Sequence, residues 1–226
     1  MWRLYNRVIV TYMERIKSSY KQHFTDKSFL LSIIISLVLL VVSLIINFYA
    51  GTYAAKSASN PVTDIILSNI RAYDLDAVFV YGSYLFFFVI LFFGLYHPQR
   101  IPYIVKSVAL FVIIRSLFIT MTHLGTFPTQ IIVHSDLLSK MTFGGDLFFS
   151  GHTGLPFLLA LIFWKDKWAR YIFILFSIVF AVTVLLSHMH YTIDVASAFF
   201  ITFTIYHIAG HFFKKDQQWF DQQIDN

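Results

Sequence analysis

Two short stretches hold residues whose types and spacing could do chemistry. The first, GGDLFFSGHTG, runs from Gly144 to Gly154 and sets Ser150, Gly151, His152 and Thr153 at the mouth of an apolar run. The second, SHMHYTIDV, runs from Ser187 to Val195 and sets His190 four residues before Asp194 at the expected start of another helix. At that spacing the two side chains share a helix face and can touch. A carboxylate so placed accepts the imidazole Nδ1–H, fixes the tautomer and supports a positive ring, leaving Nε2 as a nucleophile. In the first stretch, a helix beginning at Ser150, Gly151 and His152 would present unpaired amides and a positive dipole end, a ready anion site. Glycine lets an anion approach the backbone closely. An anion cradle, a histidine beside it and a carboxylate-oriented histidine suit phosphoryl transfer. One histidine attacks phosphorus and the other protonates the leaving oxygen. His188, His190 and Asp194 form an alternative metal set, but an i, i+2 histidine pair on a helix splays apart, so no metal or other cofactor is expected.

These residues must be positioned by a membrane protein. The chain has 226 residues, 58% of them hydrophobic and only 13% charged, with a mean hydropathy of +0.68. Soluble domains average about 45–50% apolar and about 25% charged residues. Cysteine is absent, which excludes disulfides, thiol catalysis and cysteine-ligated zinc. A helix needs roughly 20 apolar residues to cross the hydrocarbon core, and six stretches qualify in outline: Phe29–Ala50, Ala77–Tyr96, Tyr103–Met121, Leu147–Trp164, Tyr171–Ser187 and Ile193–Phe213. The expected fold class is all-α, a six-helix transmembrane bundle. Residues 1–28 would be a cytoplasmic basic amphipathic segment, 29–213 the catalytic membrane domain and 214–226 a cytoplasmic tail. No cleavable signal peptide is expected, because the first apolar run is long enough to stay as a span.

Lysine and arginine set the orientation. With the N-terminus cytoplasmic, the inside segments hold thirteen basic residues, and the outside segments hold only Lys56, Arg71 and Lys140. Both termini are then cytoplasmic, and His152, His190 and Asp194 meet on the opposite, non-cytoplasmic face. The net charge of +5 is thereby a topology signal, and no nucleic-acid partner is expected. Before the first span, Trp2, Tyr5, Ile9, Met13, Ile16 and Tyr20 recur at helical spacing among basic residues. They suit either an interfacial amphipathic helix or a helix packed on the protein's own loops. The long connection Thr122–Asp146 is a reasonable substrate lid or rim.

The pattern SGHT followed by HYTIDV resembles the histidine-dependent lipid phosphatase and phosphotransferase superfamily. GGDLFFSGHT and HYTIDV are similar in particular to its sphingomyelin synthase branch. PVTD, Pro61 to Asp64, is similar to a Pro-x-x-Asp motif of that branch, and RSLFITMTHLGTFP, from Arg115, to its arginine-bearing third span. The resemblance implies a six-helix bundle with an exoplasmic site, His190 as nucleophile, Asp194 as its orienter and His152 as general acid, then base. It also implies a phospholipid donor in the membrane and a lipid acceptor, ceramide or diacylglycerol. Lipid phosphatases of the wider superfamily carry Ser-Arg six or seven residues before the nucleophile, where this chain has Thr183-Val184. Lys106 and Arg115 are nine apart, unlike the Lys-x6-Arg-Pro of the phosphatase branch. A phosphatase using water as acceptor is the second reading.

Around the substrate, Ser150, Gly151, Arg115, Asp146, Thr153 and Tyr191 are the expected contacts. Several have plainer readings beside them. Arg115 lies inside a span, where a charge faces the bundle interior or a polar cavity. It either supplies the missing phosphate ligand or pairs with Asp64 or a backbone carbonyl. Asp146 suits a helix cap, and Tyr191 suits packing.

Overall fold

The computed structural model describes residues 14, 17, 18, 20, 21, 23–132 and 147–222. Most of the expected amphipathic N-terminal segment lies outside them. Within it, the Tyr20 hydroxyl donates to the Leu95 carbonyl at 2.6 Å.

The described chain is helical: α1 Lys27–Ser57, α2 Asp76–Tyr96, a 3₁₀ turn Pro98–Arg100, α3 Ile101–Met121, α4 Gly151–Ile162, α5 Lys167–Leu186, α6 Thr192–Phe212 and α7 Lys214–Asp221. Five of these, α1, α2, α3 with its 3₁₀ turn, α5 and α6, are long and apolar enough to span a membrane. The expected fourth span, Leu147–Trp164, shortens to α4, whose 12 residues reach about 18 Å at 1.5 Å per residue. The reason is local. Phe148 has φ 95°, a left-handed conformation that no α-helix contains, and Ser150 then caps the helix by accepting from Thr153 N. At the other end the Asp166 carboxylate caps α5 by accepting from Ala169 N at 3.2 Å, so residues 163–166 must turn.

Packing follows side-chain size. α1 lies along α3 and turns Ser32, Ser36, Ser43, Ala50 and Ala54 inward. Small residues let backbones approach where no hydrophobic drive operates between helices in lipid. The opposite face of α1, including Leu31, Ile34, Val38, Val41 and Ile45, is exposed. α4 packs on α5 and α6, and α2 rests on α5. Between them runs an aromatic core of Phe86, Tyr103, Phe111, Phe149, Phe163, Phe173 and Phe180. A Cβ on Gly154 would sit 2.8 Å from Thr202 Oγ1 and 2.9 Å from the Phe111 ring, so α4 approaches α3 and α6 only because that position is glycine.

The stretch expected as a tail is part of the bundle. α7 buries Asp216, whose Oδ2 accepts from Lys106 Nζ at 2.7 Å. The same ammonium donates to Ser32 Oγ at 2.7 Å, and that hydroxyl donates to Asp216 Oδ1. Lys106 is only 6% exposed, so this pair ties α1, α3 and α7 together away from water. It sits at the start of α3, whereas Arg115 stands near the end of that helix beside the histidine motifs. Lys106 is thus placed for structure, bonded to α1 and α7, although it shares its helix with Arg115.

Candidate active site

α5 ends at Leu186 and α6 begins at Thr192, and the turn between them builds half of the site. His188 has φ 54°, which lets the chain double back so that Met189 N and His190 N both donate to Val184 O, at 2.9 and 3.3 Å. Left-handed backbone costs a non-glycine residue about 1–2 kcal/mol. Among the described residues the positive-φ non-glycine positions are Phe148 and His188, one in each motif.

His190 therefore precedes the helix, and its contact with Asp194 is made across a capping turn and not along a helix face. Asp194 occupies the third position of α6. Its Oδ2 accepts the Tyr191 N–H at 3.0 Å and lies 3.1 Å from His190 Nδ1. The carboxylate is 0% exposed. An acceptor-only group opposite Nδ1 puts the proton there and leaves Nε2 with its lone pair. One carboxylate thus both caps α6, where a negative charge also suits the helix dipole, and orients the ring.

The other half of the site is the start of α4. Ser150 N donates to the Asp194 carbonyl at 3.3 Å, and Ser197 Oγ donates to the Phe148 carbonyl at 2.8 Å. The two helix starts are thereby stitched together, once backbone to backbone and once through the Ser197 hydroxyl. His152, second residue of α4, packs its ring against Phe79 of α2 at 4.2 Å between centroids and against Phe180 of α5 at 5.7 Å. Arg115 reaches the same helix start. Its Nε donates to Phe149 O at 3.0 Å and Nη1 donates to Asn47 Oδ1 at 3.3 Å. A Cβ on Gly151 would lie 3.0 Å from Arg115 Nε, so the guanidinium rests directly on the glycine backbone. A positive side chain and a helix N-terminus converge there, which is what an anion needs.

The remaining expected contacts are placed differently. The Ser150 and Thr153 side chains are fully buried and bond each other, Thr153 Oγ1 donating to Ser150 Oγ at 3.1 Å. Their hydroxyls serve the helix cap. Tyr191 is 1% exposed, and its hydroxyl donates to Gly125 O at 2.9 Å while accepting from Val62 N at 3.2 Å. It ties two loops to α6 instead of lining a pocket. Asp146 lies outside the described residues. Thr183 and Val184, at the place of the superfamily's Ser-Arg, are buried. His188 turns away from His190, its Nδ1 2.5 Å from Thr129 Oγ1 and its ring edge-on to Phe127 at 5.3 Å. Burial holds its pKa below the usual histidine value, against the opposing pull of the Asp64 charge.

Asp64 was open as a partner for Arg115, but its carboxylate is engaged elsewhere. It accepts from Ile66 N at 2.8 Å, Leu67 N at 3.0 Å, Thr192 N at 2.8 Å and Thr192 Oγ1 at 2.7 Å. Burial works to raise its pKa, and the four donors outweigh it and hold it below the usual carboxylate value. Spacing could not find this role, because Asp64 and Thr192 meet only in three dimensions.

Neither a curated protein nor a solved structure matches the chain. Residues 144–212, which hold both histidine motifs and run from the start of the site to the end of α6, match the family model described as PAP2 superfamily C-terminal. That match supports the phosphatase and phosphotransferase superfamily for this chain, and with it an enzyme that acts on phosphate esters.

Proposed function

We propose that the protein is a lipid phosphotransferase. It would move a phospho-headgroup, such as phosphocholine, from a glycerophospholipid to a lipid hydroxyl such as that of ceramide, on the non-cytoplasmic face of the membrane. The His190 Nε2 lone pair attacks phosphorus, and the bond from phosphorus to the diacylglycerol oxygen breaks. His152 gives its proton to that oxygen, so diacylglycerol leaves and a phosphohistidine-type intermediate remains. His152, now neutral, takes the proton from the acceptor hydroxyl, whose oxygen attacks phosphorus and releases His190. Asp194 holds the Nδ1–H throughout and balances the charge on the ring. Arg115 and the α4 N-terminus meet the negative charge on the phosphoryl oxygens, which is where fixed dipoles help most.

The observation that favours transfer over hydrolysis is the setting of His152. Its ring packs against Phe79 and Phe180, an apolar surround that suits a lipid hydroxyl better than bulk water as the group to be deprotonated. The sphingomyelin synthase-like motifs point the same way. The test is product analysis by mass spectrometry with purified protein in micelles of phosphatidylcholine and phosphatidic acid, with and without ceramide. Diacylglycerol formed together with a headgroup-bearing ceramide supports the proposal. Diacylglycerol with free phosphate, indifferent to ceramide, replaces it with a phosphatase.

A further inference from the structure

The first outer connection, residues 58–75, carries the PVTD motif and is used by none of the steps above. It meets the second histidine motif through Val62 N, which donates to the Tyr191 hydroxyl, through Tyr73 O, which accepts from Ser187 Oγ, and through Asp64, whose contact is at the helix start itself. Thr192 is the first residue of α6, and its N–H has no partner within its own helix. The preceding residue is Tyr191, whose phenol cannot bend back to cap that amide and reaches instead to Gly125. The capping acceptor comes from 128 residues away: Asp64 Oδ2 accepts Thr192 N at 2.8 Å and Oδ1 accepts Thr192 Oγ1 at 2.7 Å. The same Oδ1 caps the turn that follows Asp64, through Ile66 N and Leu67 N. Ser68 Oγ in turn accepts from Asp64 N at 2.9 Å, which fixes the aspartate backbone.

Two carboxylates thus share consecutive amides at the start of α6. Asp194 takes the N–H of Tyr191 and Asp64 takes the N–H of Thr192. The first of these is the carboxylate that holds His190. A rotation of the Tyr191–Thr192 peptide would swing the Tyr191 carbonyl away from Asp194 N, which donates to it at 3.0 Å, and so move the residue whose carboxylate His190 depends on. We propose that Asp64 is a positioning residue: it caps α6 from the first outer loop and thereby holds Asp194, and through it His190, in the geometry for attack. This rests on the reading of His190 and Asp194 as catalytic.

The carboxylate form matters because its oxygens meet donors, the amides of Ile66, Leu67 and Thr192 and the Thr192 hydroxyl. An asparagine has one oxygen for them, and its amide N–H would face one of the donors. Asp64→Asn should therefore behave nearly as badly as Asp64→Ala. Displacements on the order of 1 Å at reacting groups cost about 100-fold in rate, so kcat should fall by roughly 10- to 100-fold, with KM for the donor lipid little changed. The acid limb of the rate profile should move to lower pH, because a misplaced Asp194 supports the protonated His190 ring less well.

The experiment compares wild type, Asp64→Asn, Asp64→Ala, Thr192→Val and His190→Ala in phosphatidylcholine micelles that contain ceramide as acceptor. It records kcat, KM, the pH–rate profile and the thermal unfolding midpoint of each. Thr192→Val keeps the N–H and loses the hydroxyl, so it should lose less than Asp64→Ala and should still report if Asp64→Ala fails to fold. The proposal holds if kcat falls and the pH limb moves at temperatures where every variant is folded. It is overturned if the Asp64 and Thr192 variants lower the unfolding midpoint while the folded protein keeps its kcat and pH profile, which would make Asp64 a loop tie only. Wild-type turnover by His190→Ala would overturn the reading of His190 itself, and that result is separate from anything the Asp64 variants do.

Discussion

Gly151→Ala sets two effects of similar size against each other. Gly151 is the first residue of α4, and its backbone φ lies outside the left-handed range, so alanine fits the conformation without strain. Restricting the unfolded chain in this way stabilises a protein by about 0.4–1 kcal/mol. Against that, the new methyl carbon would stand 3.0 Å from Arg115 Nε, 3.5 Å from Cδ and 3.6 Å from Cζ. The guanidinium must retreat by a few tenths of an ångström. Its bond to Phe149 O, now 3.0 Å, would lengthen, and its bond to Asn47 Oδ1, already 3.3 Å, would be lost. If the guanidinium stabilises charge on the transferring phosphoryl group, the shift should cost about tenfold in rate, or about 1.4 kcal/mol of barrier. An interaction made only in the transition state lowers kcat and kcat/KM together. The expected signature is thus an unfolding midpoint equal to or above that of wild type, with both kinetic constants reduced alike. Thermal unfolding in detergent and initial rates on micelles of phosphatidylcholine with ceramide would supply the two readings. A stabilised variant with undiminished kcat would refute the placement of Arg115 at the reacting phosphate.

Other perturbations separate scaffold from chemistry. Lys106→Met leaves the Asp216 carboxylate buried with only Ser32 beside it and should lower stability by about 3–5 kcal/mol, seen as an earlier melt, while adding Asp216→Leu should recover much of the loss. Gly125→Ala would put a Cβ 2.2 Å from Ser59 O, so the loops around Tyr191 cannot close; a large loss of expression or melting temperature is expected, and an unchanged melt would contradict the loop packing. His188 has a folded pKa depressed below 6.5, so its contribution is present above that value and lost as pH falls through the folded pKa. The melting temperature should decline as the medium is acidified from neutral, with Asp64 the facing charge that opposes the shift, and His188→Gln should flatten that decline.

How much of this could be read before folding differs from residue to residue. The apolar runs locate the helices because hydropathy averages over a whole span. Leu147 to Ser150 belong to such a run and still lie outside the helix, because the left-handed backbone at Phe148 is set by tertiary contacts that composition does not register. The meeting of His190 and Asp194 follows from their spacing, although the contact is made through a capping turn, since His188 breaks the helix before His190. Ser150, Thr153 and Tyr191 carry hydroxyls that look available in a sequence, whereas the fold spends each on a cap or a loop. The service of Asp64 to Thr192 and of Asp216 to Lys106 has no local signature, because both depend on how distant elements dock. Lys106, a topology charge by its place in the chain, proves to be half of a buried pair.

The most direct test of the central claim is to stop turnover of phosphatidylcholine in wild-type protein and in His190→Ala, then map covalent adducts by peptide mass spectrometry under conditions that preserve phosphohistidine. The account predicts a headgroup-phosphoryl adduct on His190 that forms with donor lipid, disappears when ceramide is added, and is missing from a folded, inactive His190→Ala protein. An adduct on another residue, or full turnover by His190→Ala, would contradict it.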